Sequence, residues 1–300
     1  MNANSTEQLP SSKLTVKSLL IPLLMHPRVA HFLKYIVYLS LSVNFFVYVV
    51  DDYQALRSAL PAGAPLMDVL TRFSTSIDTG AWMGLILLFE LETYTLPDEA
   101  FTVKVKALLR AGRAICYALV FSAAYGYTVE ALQNYDFSEV AGVSDACQVA
   151  DQDVWLQINS IDYEEITSLN CNTLTDDEIF YRFKDEESVI ASSLVSHVQF
   201  QGLIDICNSY VWILVIALME IEVLLHSADR FGSRLLNAVR QVKSLFYLVL
   251  IANGVAWAAT GYLIYGWDSF LWIFGFWAIE LNLAEWEIDR LEELREGQAA

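Results

Sequence analysis

Three glutamates, Glu90, Glu220 and Glu280, each stand eight residues after a tryptophan in an otherwise apolar run: WMGLILLFELE, WILVIALMEIE and WIFGFWAIELN. Glu92, Glu222 and Asn282 follow two positions later. A carboxylate within hydrocarbon costs about 3 kcal/mol on insertion scales, so such residues are expected to face each other, water or a cation rather than lipid. Carboxylates crowded about one axis cannot all ionise cheaply, and they either keep a proton or share a cation. The chemistry on offer is passage of a cation or proton. Glu90, Glu220 and Glu280 are the expected central ring and the candidate metal ligands, with Glu92, Glu222 and Asn282 beside them. Hard cations such as Ca²⁺, Mg²⁺ or Mn²⁺ suit carboxylate and amide oxygens, so a divalent cation is the one cofactor this pattern would accept.

Neutral oxygens come from Asn44 and Asn253. Lys34, Tyr38 and Asn44 correspond in spacing to Lys243, Tyr247 and Asn253, and to Arg113, Tyr117 and Ala123 between them. Adding 130 carries Phe101 to Phe231, Lys104 to Arg234, Arg110 to Arg240 and Tyr117 to Tyr247. A register kept that long defines a unit, used three times, of basic helix, apolar helix, loop and glutamate-bearing apolar helix. Aromatic residues favour bilayer edges, so Trp82, Trp212 and Trp272 are read as boundary markers. Eight residues at 1.5 Å place the glutamates about 12 Å below that edge. Ten residues place Asn44 and Asn253 about 15 Å above Lys34 and Lys243, and in a core of about 30 Å the two sets meet near the midplane.

Positioning such a layer takes membrane helices. The chain is 55% hydrophobic with 8 tryptophans and a mean hydropathy of +0.40, well beyond an ordinary soluble domain. Six apolar spans are expected near 32–50, 79–96, 111–129, 203–225, 245–264 and 270–286. The expected fold is all-α and polytopic, three repeated hairpins with a small acidic outer domain. Its parts are an arm at 1–30, hairpins at 31–96, 97–226 and 227–300, the acidic segment 130–200 within the second, and a cytoplasmic helical tail at the end. No strand is expected. Basic helices before the third and fifth spans are expected to lie along the membrane surface, with Phe101, Val105 and Leu109, and Phe231, Leu235 and Val239, on their apolar faces.

Lysine and arginine mark the cytoplasmic side of short loops. Of 18 basic residues, only Arg57, Arg72, Arg182 and Lys184 fall on the other side, so both termini are read as cytoplasmic in a plasma (inner) membrane. Residues 130–200 carry 15 acids, which accounts for much of the net charge of −18 and excludes nucleic acid as a partner. Cys147 and Cys171 share that segment and are expected to form a disulfide closing a loop worth about 3 kcal/mol. Asp205 and Asn208, near the outer end of the fourth span, belong either to an entrance or to an interfacial cap.

Other chemistry has no pattern behind it. His26, His31, His197 and His226 do not form axial pairs, and no phosphate loop, nucleophile elbow or zinc spacing occurs, so no catalytic activity is expected. In outline three hairpins are similar to mitochondrial carriers. The proline, acid and base motif of that family is missing from VYVVDDY, YGYTVEAL and YLIYGWD, and nothing is carried over.

Two competing readings stay open. Buried polar side chains also join helices through hydrogen bonds worth about 0.6–2 kcal/mol, and the glutamates can instead snorkel to the basic helices. From a different class comes a noncatalytic scaffold or sensor that binds a second copy or a membrane partner protein through its outer domain and carboxyl-terminal helix.

Overall fold

The computed structural model describes residues 27–276 apart from 144, 175–178 and 228–232. Glu280, Asn282 and the helical tail lie outside the described residues. Helix α1 (Pro27–Ala59) starts at a proline, whose fixed φ suits a first turn. It stops before Pro61, Gly63 and Pro65, where Gly63 takes a φ of +87°. A short α2 (Leu66–Arg72) leads directly into α3 (Ser74–Glu90), which ends in a π turn at Leu91–Thr95. Thr102 caps α4 (Val103–Gln133), its hydroxyl oxygen accepting from the Val105 N–H at 3.3 Å. Helices α6 (Ser192–Ser227) and α7 (Ser233–Ala259) follow the sheet region, and α8 begins at residue 263 and is described to 276.

Helices α1, α4, α6 and α7 are each long and apolar enough to cross a membrane. Leu108, Ile115, Leu119 and Phe121 of α4, and Leu245, Leu248 and Val255 of α7, are exposed, as side chains facing lipid would be. The basic and apolar halves of α4 are one uninterrupted helix, and so are those of α7. This corrects the expectation of separate surface helices. Neither junction carries a proline or a cap to stop the helix, and 31 residues at 1.5 Å already exceed a core of about 30 Å.

Between α4 and α6 lies a five-stranded sheet, which corrects the all-α assignment. Its strands are β1 (Phe137–Glu139), β2 (Trp155–Gln157), β3 (Tyr163–Glu165), β4 (Phe180–Phe183) and β5 (Val189–Ala191), in the order β1-β4-β5-β2-β3. Only the β2–β5 pair is parallel. Each strand has three or four residues, too few for a period of two to stand out. Ala146, Leu156, Ile166, Phe180 and Val189 form the core of this region. The Cys147–Cys171 disulfide closes it, joining a 3-10 turn (Ala146–Gln148) to the four-residue α5 (Cys171–Leu174).

Helix α3 packs on α4, α4 on α6, and α6 on α7. Small residues let backbones approach at the α7–α8 crossing. A Cβ added to Gly266 would stand 2.8 Å from the Gly254 carbonyl oxygen and 3.0 Å from the Ala258 Cβ. Gly266→Ala is therefore expected to destabilise the folded chain by about 1–3 kcal/mol through overpacking. A thermal unfolding midpoint in detergent unchanged from the parent would refute that.

Candidate functional site

Four residues before each of the three tryptophans stands a short polar residue: Asp78 before Trp82, Asn208 before Trp212 and Asp268 before Trp272. On a helix that spacing puts the pair on one face. The Trp272 indole N–H donates to Asp268 Oδ2 at 3.1 Å, and the Trp82 indole interacts with Asp78 in the same way. The three tryptophans converge. Trp82 stands 6.2 Å from Trp212 and 6.4 Å from Trp272 between ring centroids, and Phe276 packs on all three. All three are under 9% exposed and pack within the protein. A carboxylate on the same helix serves the indole N–H of Trp82 and of Trp272, so neither ring must reach water to satisfy it.

Above this aromatic cluster, toward the sheet, lies a cavity of about 60 Å³. Asp78, Asp205, Asp268 and Asn208 line it, and among the described residues no basic side chain does. Asn44, 4% exposed, donates its amide N–H to Asp268 Oδ1 at 2.7 Å. The Tyr48 hydroxyl, on a side chain only 1% exposed, lies beside Asp268 without making a hydrogen bond of normal geometry. Asn208 Oδ1 is likewise buried without a partner. At about 10–15 Å³ per water the cavity holds about four to six.

A second cavity of about 30 Å³ adjoins the first, sharing Thr75, Tyr127, Asp205, Trp257 and Tyr265 as walls. Asp51, Asp52 and Glu130 add carboxylates, and Arg72 is the one basic residue in its lining among the described residues. Asp52 accepts from the Ser76 N–H at 2.9 Å and the Ser76 hydroxyl at 2.6 Å, in the first turn of α3 where the helix dipole favours negative charge. The β2–β3 turn roofs this cavity with Ser160 and Ile161. Asn159 Oδ1 accepts from the N–H groups of Ile161 and Asp162, and the fully buried Gln201 accepts from the Ser160 N–H at 3.0 Å. Tyr262 donates to Asp162 at 2.7 Å; burial and that carboxylate raise its pKa, so it stays a phenol.

Arg72 anchors the sheet to the helices. It is 7% exposed, donates to Glu130 at 3.0 Å and to the Tyr163 hydroxyl at 3.3 Å, and pairs with Glu186. The neighbouring carboxylates outweigh burial and push its pKa up, so the guanidinium is permanently charged.

The sequence-predicted acids lie at the other end of the helices. Glu92 pairs with Arg113, and Glu222 with Arg240 and Lys243 at 2.7 Å each. Glu90 is half-buried and Glu220 exposed. Among the described residues no group of three His, Cys, Asp or Glu is placed to hold a metal ion. Of the asparagines, Asn44 reaches the cavity through Asp268, while Asn253 is buried with its amide nitrogen unpaired. Sequence reasoning placed Asp205 and Asn208 at an entrance or a cap, and both line the first cavity. It passed over Asp78, Asp268, Asp51 and Asp52. The threefold recurrence of a short polar residue one turn before tryptophan was the signal for two of them.

Comparison with protein-family models, curated proteins and solved structures gives no match.

Proposed function

We propose that this protein is a multi-pass membrane protein that admits a cation or proton through the acidic cavities beneath its sheet and passes it toward the glutamate-bearing end. The observation that carries this is the first cavity, lined among the described residues by three carboxyl groups and by no basic side chain. Unpaired carboxylates in a low-dielectric interior are expensive, and a cation or bound proton offsets that cost. The dense acids of residues 130–200 would raise the local cation concentration at the mouth. With the basic ends of α4 and α7 on the cytoplasmic side, the sheet faces outward. The meeting of Trp82, Trp212 and Trp272 supports an internal threefold repeat of hairpins and six spans.

In this scheme the aromatic cluster is the constriction between the cavity and Glu90, Glu92, Glu220 and Glu222. The test is cation and proton flux into liposomes holding the full chain, compared with a D78N/D205N/D268N variant and an E90Q/E220Q/E280Q variant, each checked for folding. The parent is expected to carry flux well above empty liposomes, and the aspartate variant to fall to the empty-liposome level. Flux lost only in the glutamate variant would move the path to the glutamate ring. No flux of any ion in the folded parent would sink the proposal and favour the scaffold or sensor.

A further inference from the structure

We infer that the cavity above the tryptophan cluster is a binding site for a small ammonium cation, of the methylammonium class, rather than for a bare metal ion. This deepens the cation-passage proposal and rests on it only for the direction of transit. The lining has two chemical halves. Asp78, Asp205 and Asp268 supply carboxyl oxygens, while Trp82, Trp212 and Trp272 supply aromatic surface. A hard metal cation needs six or more oxygens at bonding distance to replace its water shell. Among the described residues no three acids are close enough to begin such a shell.

An ammonium head asks for less. It needs a carboxylate, one or two further acceptors for its remaining N–H groups, and an aromatic face for its alkyl side or its charge, and tryptophan is the strongest of the aromatic partners. Two buried polar atoms lining the cavity make no hydrogen bond of normal geometry. The Tyr48 hydroxyl, on a side chain 1% exposed, can accept, and so can Asn208 Oδ1. Buried polar atoms left unpaired are uncommon in native interiors and point to a partner that arrives with the ligand. Asp268 is also pre-oriented: Asn44 holds one oxygen and Trp272 the other, leaving lone pairs on both. Space for about four to six waters in 60 Å³ limits the guest to a few non-hydrogen atoms, which admits methylammonium and rejects tetraethylammonium.

The test is equilibrium binding of radiolabelled methylammonium to the purified full chain in detergent, at fixed ionic strength, with tryptophan fluorescence read in parallel. Saturable binding is expected, displaced by unlabelled methylammonium but not by equimolar Na⁺, K⁺, Mg²⁺ or tetraethylammonium. Folded D268N and W82L are each expected to bind about tenfold more weakly, with W82F between W82L and the parent. Should W82L fail to fold, the W82F and D268N comparison carries the same information. Absence of saturable binding by the folded parent, displacement by Na⁺ or Mg²⁺ as effective as by methylammonium, or parent-like affinity in both folded variants would each overturn the site. Binding without liposome flux would uphold the site while sinking the passage proposal. Flux of inorganic cations without methylammonium binding would do the reverse.

Discussion

Arg72→Met is expected to unfold the sheet region from the helices, at a cost of about 3–5 kcal/mol. Among the described residues the guanidinium is the only cation shared by Glu130 on α4 and Glu186 in the β4–β5 connection, and it also donates to Tyr163 on β3. The Arg72 and Glu186 side chains are 6% and 4% exposed, so solvent screens little of their interaction. Removing the cation leaves two carboxylates in low dielectric, which costs far more than the pair contributes over an apolar replacement. For that reason the double variant R72M/E186L should recover part of the loss. Arg72→Lys should fall between, because an ammonium cannot serve Glu130, Tyr163 and Glu186 through one planar fork. Chemical denaturation followed by hydrogen exchange across residues 137–191 would read this. Parent-like protection of those amides in R72M would show the anchor to be dispensable.

Replacing Cys147 and Cys171 by alanine is expected to cost about 3 kcal/mol, the chain entropy of a loop with a sequence separation of 24. The effect should be confined to the sheet region. Cys171 is 3% exposed and sits in the core with Phe180 and Ile166, so some packing is lost as well. Because the strands are only three or four residues long, this region has little other local order to fall back on. Reduction of the parent chain should reproduce the variant's unfolding midpoint for these amides and leave α4, α6 and α7 protected. Equal midpoints for oxidised and reduced protein would remove the bond from the stability of this segment.

What could be read from the sequence follows from how much chain each signal covers. The apolar runs behind α1, α4, α6 and α7 extend over 26 or more residues and leave no competing interpretation. Cys147 and Cys171 were legible because both fall in one acidic segment set apart from the other two cysteines. The sheet was not legible: β5 is Val189, Ile190 and Ala191, buried on both faces, and three residues cannot display a period. The acidic cavity was not legible for a physical reason of the same kind. Glu92 and Glu222 stand within apolar sequence, but Arg113 and Lys243 on the neighbouring helices reach them. Asp78 and Asp268 stand at the ends of apolar runs, where an acid ordinarily means a cap. Only the packing of α3 and α8 turns them to the cavity beside Asp205.

Strand β5 passes into α6 with no residue between Ala191 and Ser192, and α6 then carries Asp205, Asn208 and Trp212 in succession. Because β5 is held on both edges, by β4 and by β2, the start of this helix is clamped by the sheet. Sheet and helix thus act as a blade and its shaft, without a joint between them. Trp212 lies about 30 Å down the shaft from Ser192, twenty residues along at about 1.5 Å each, where its ring stands 6.2 Å from that of Trp82. Whatever grips the sheet is therefore tied, through one unbroken helix, to the aromatic cluster.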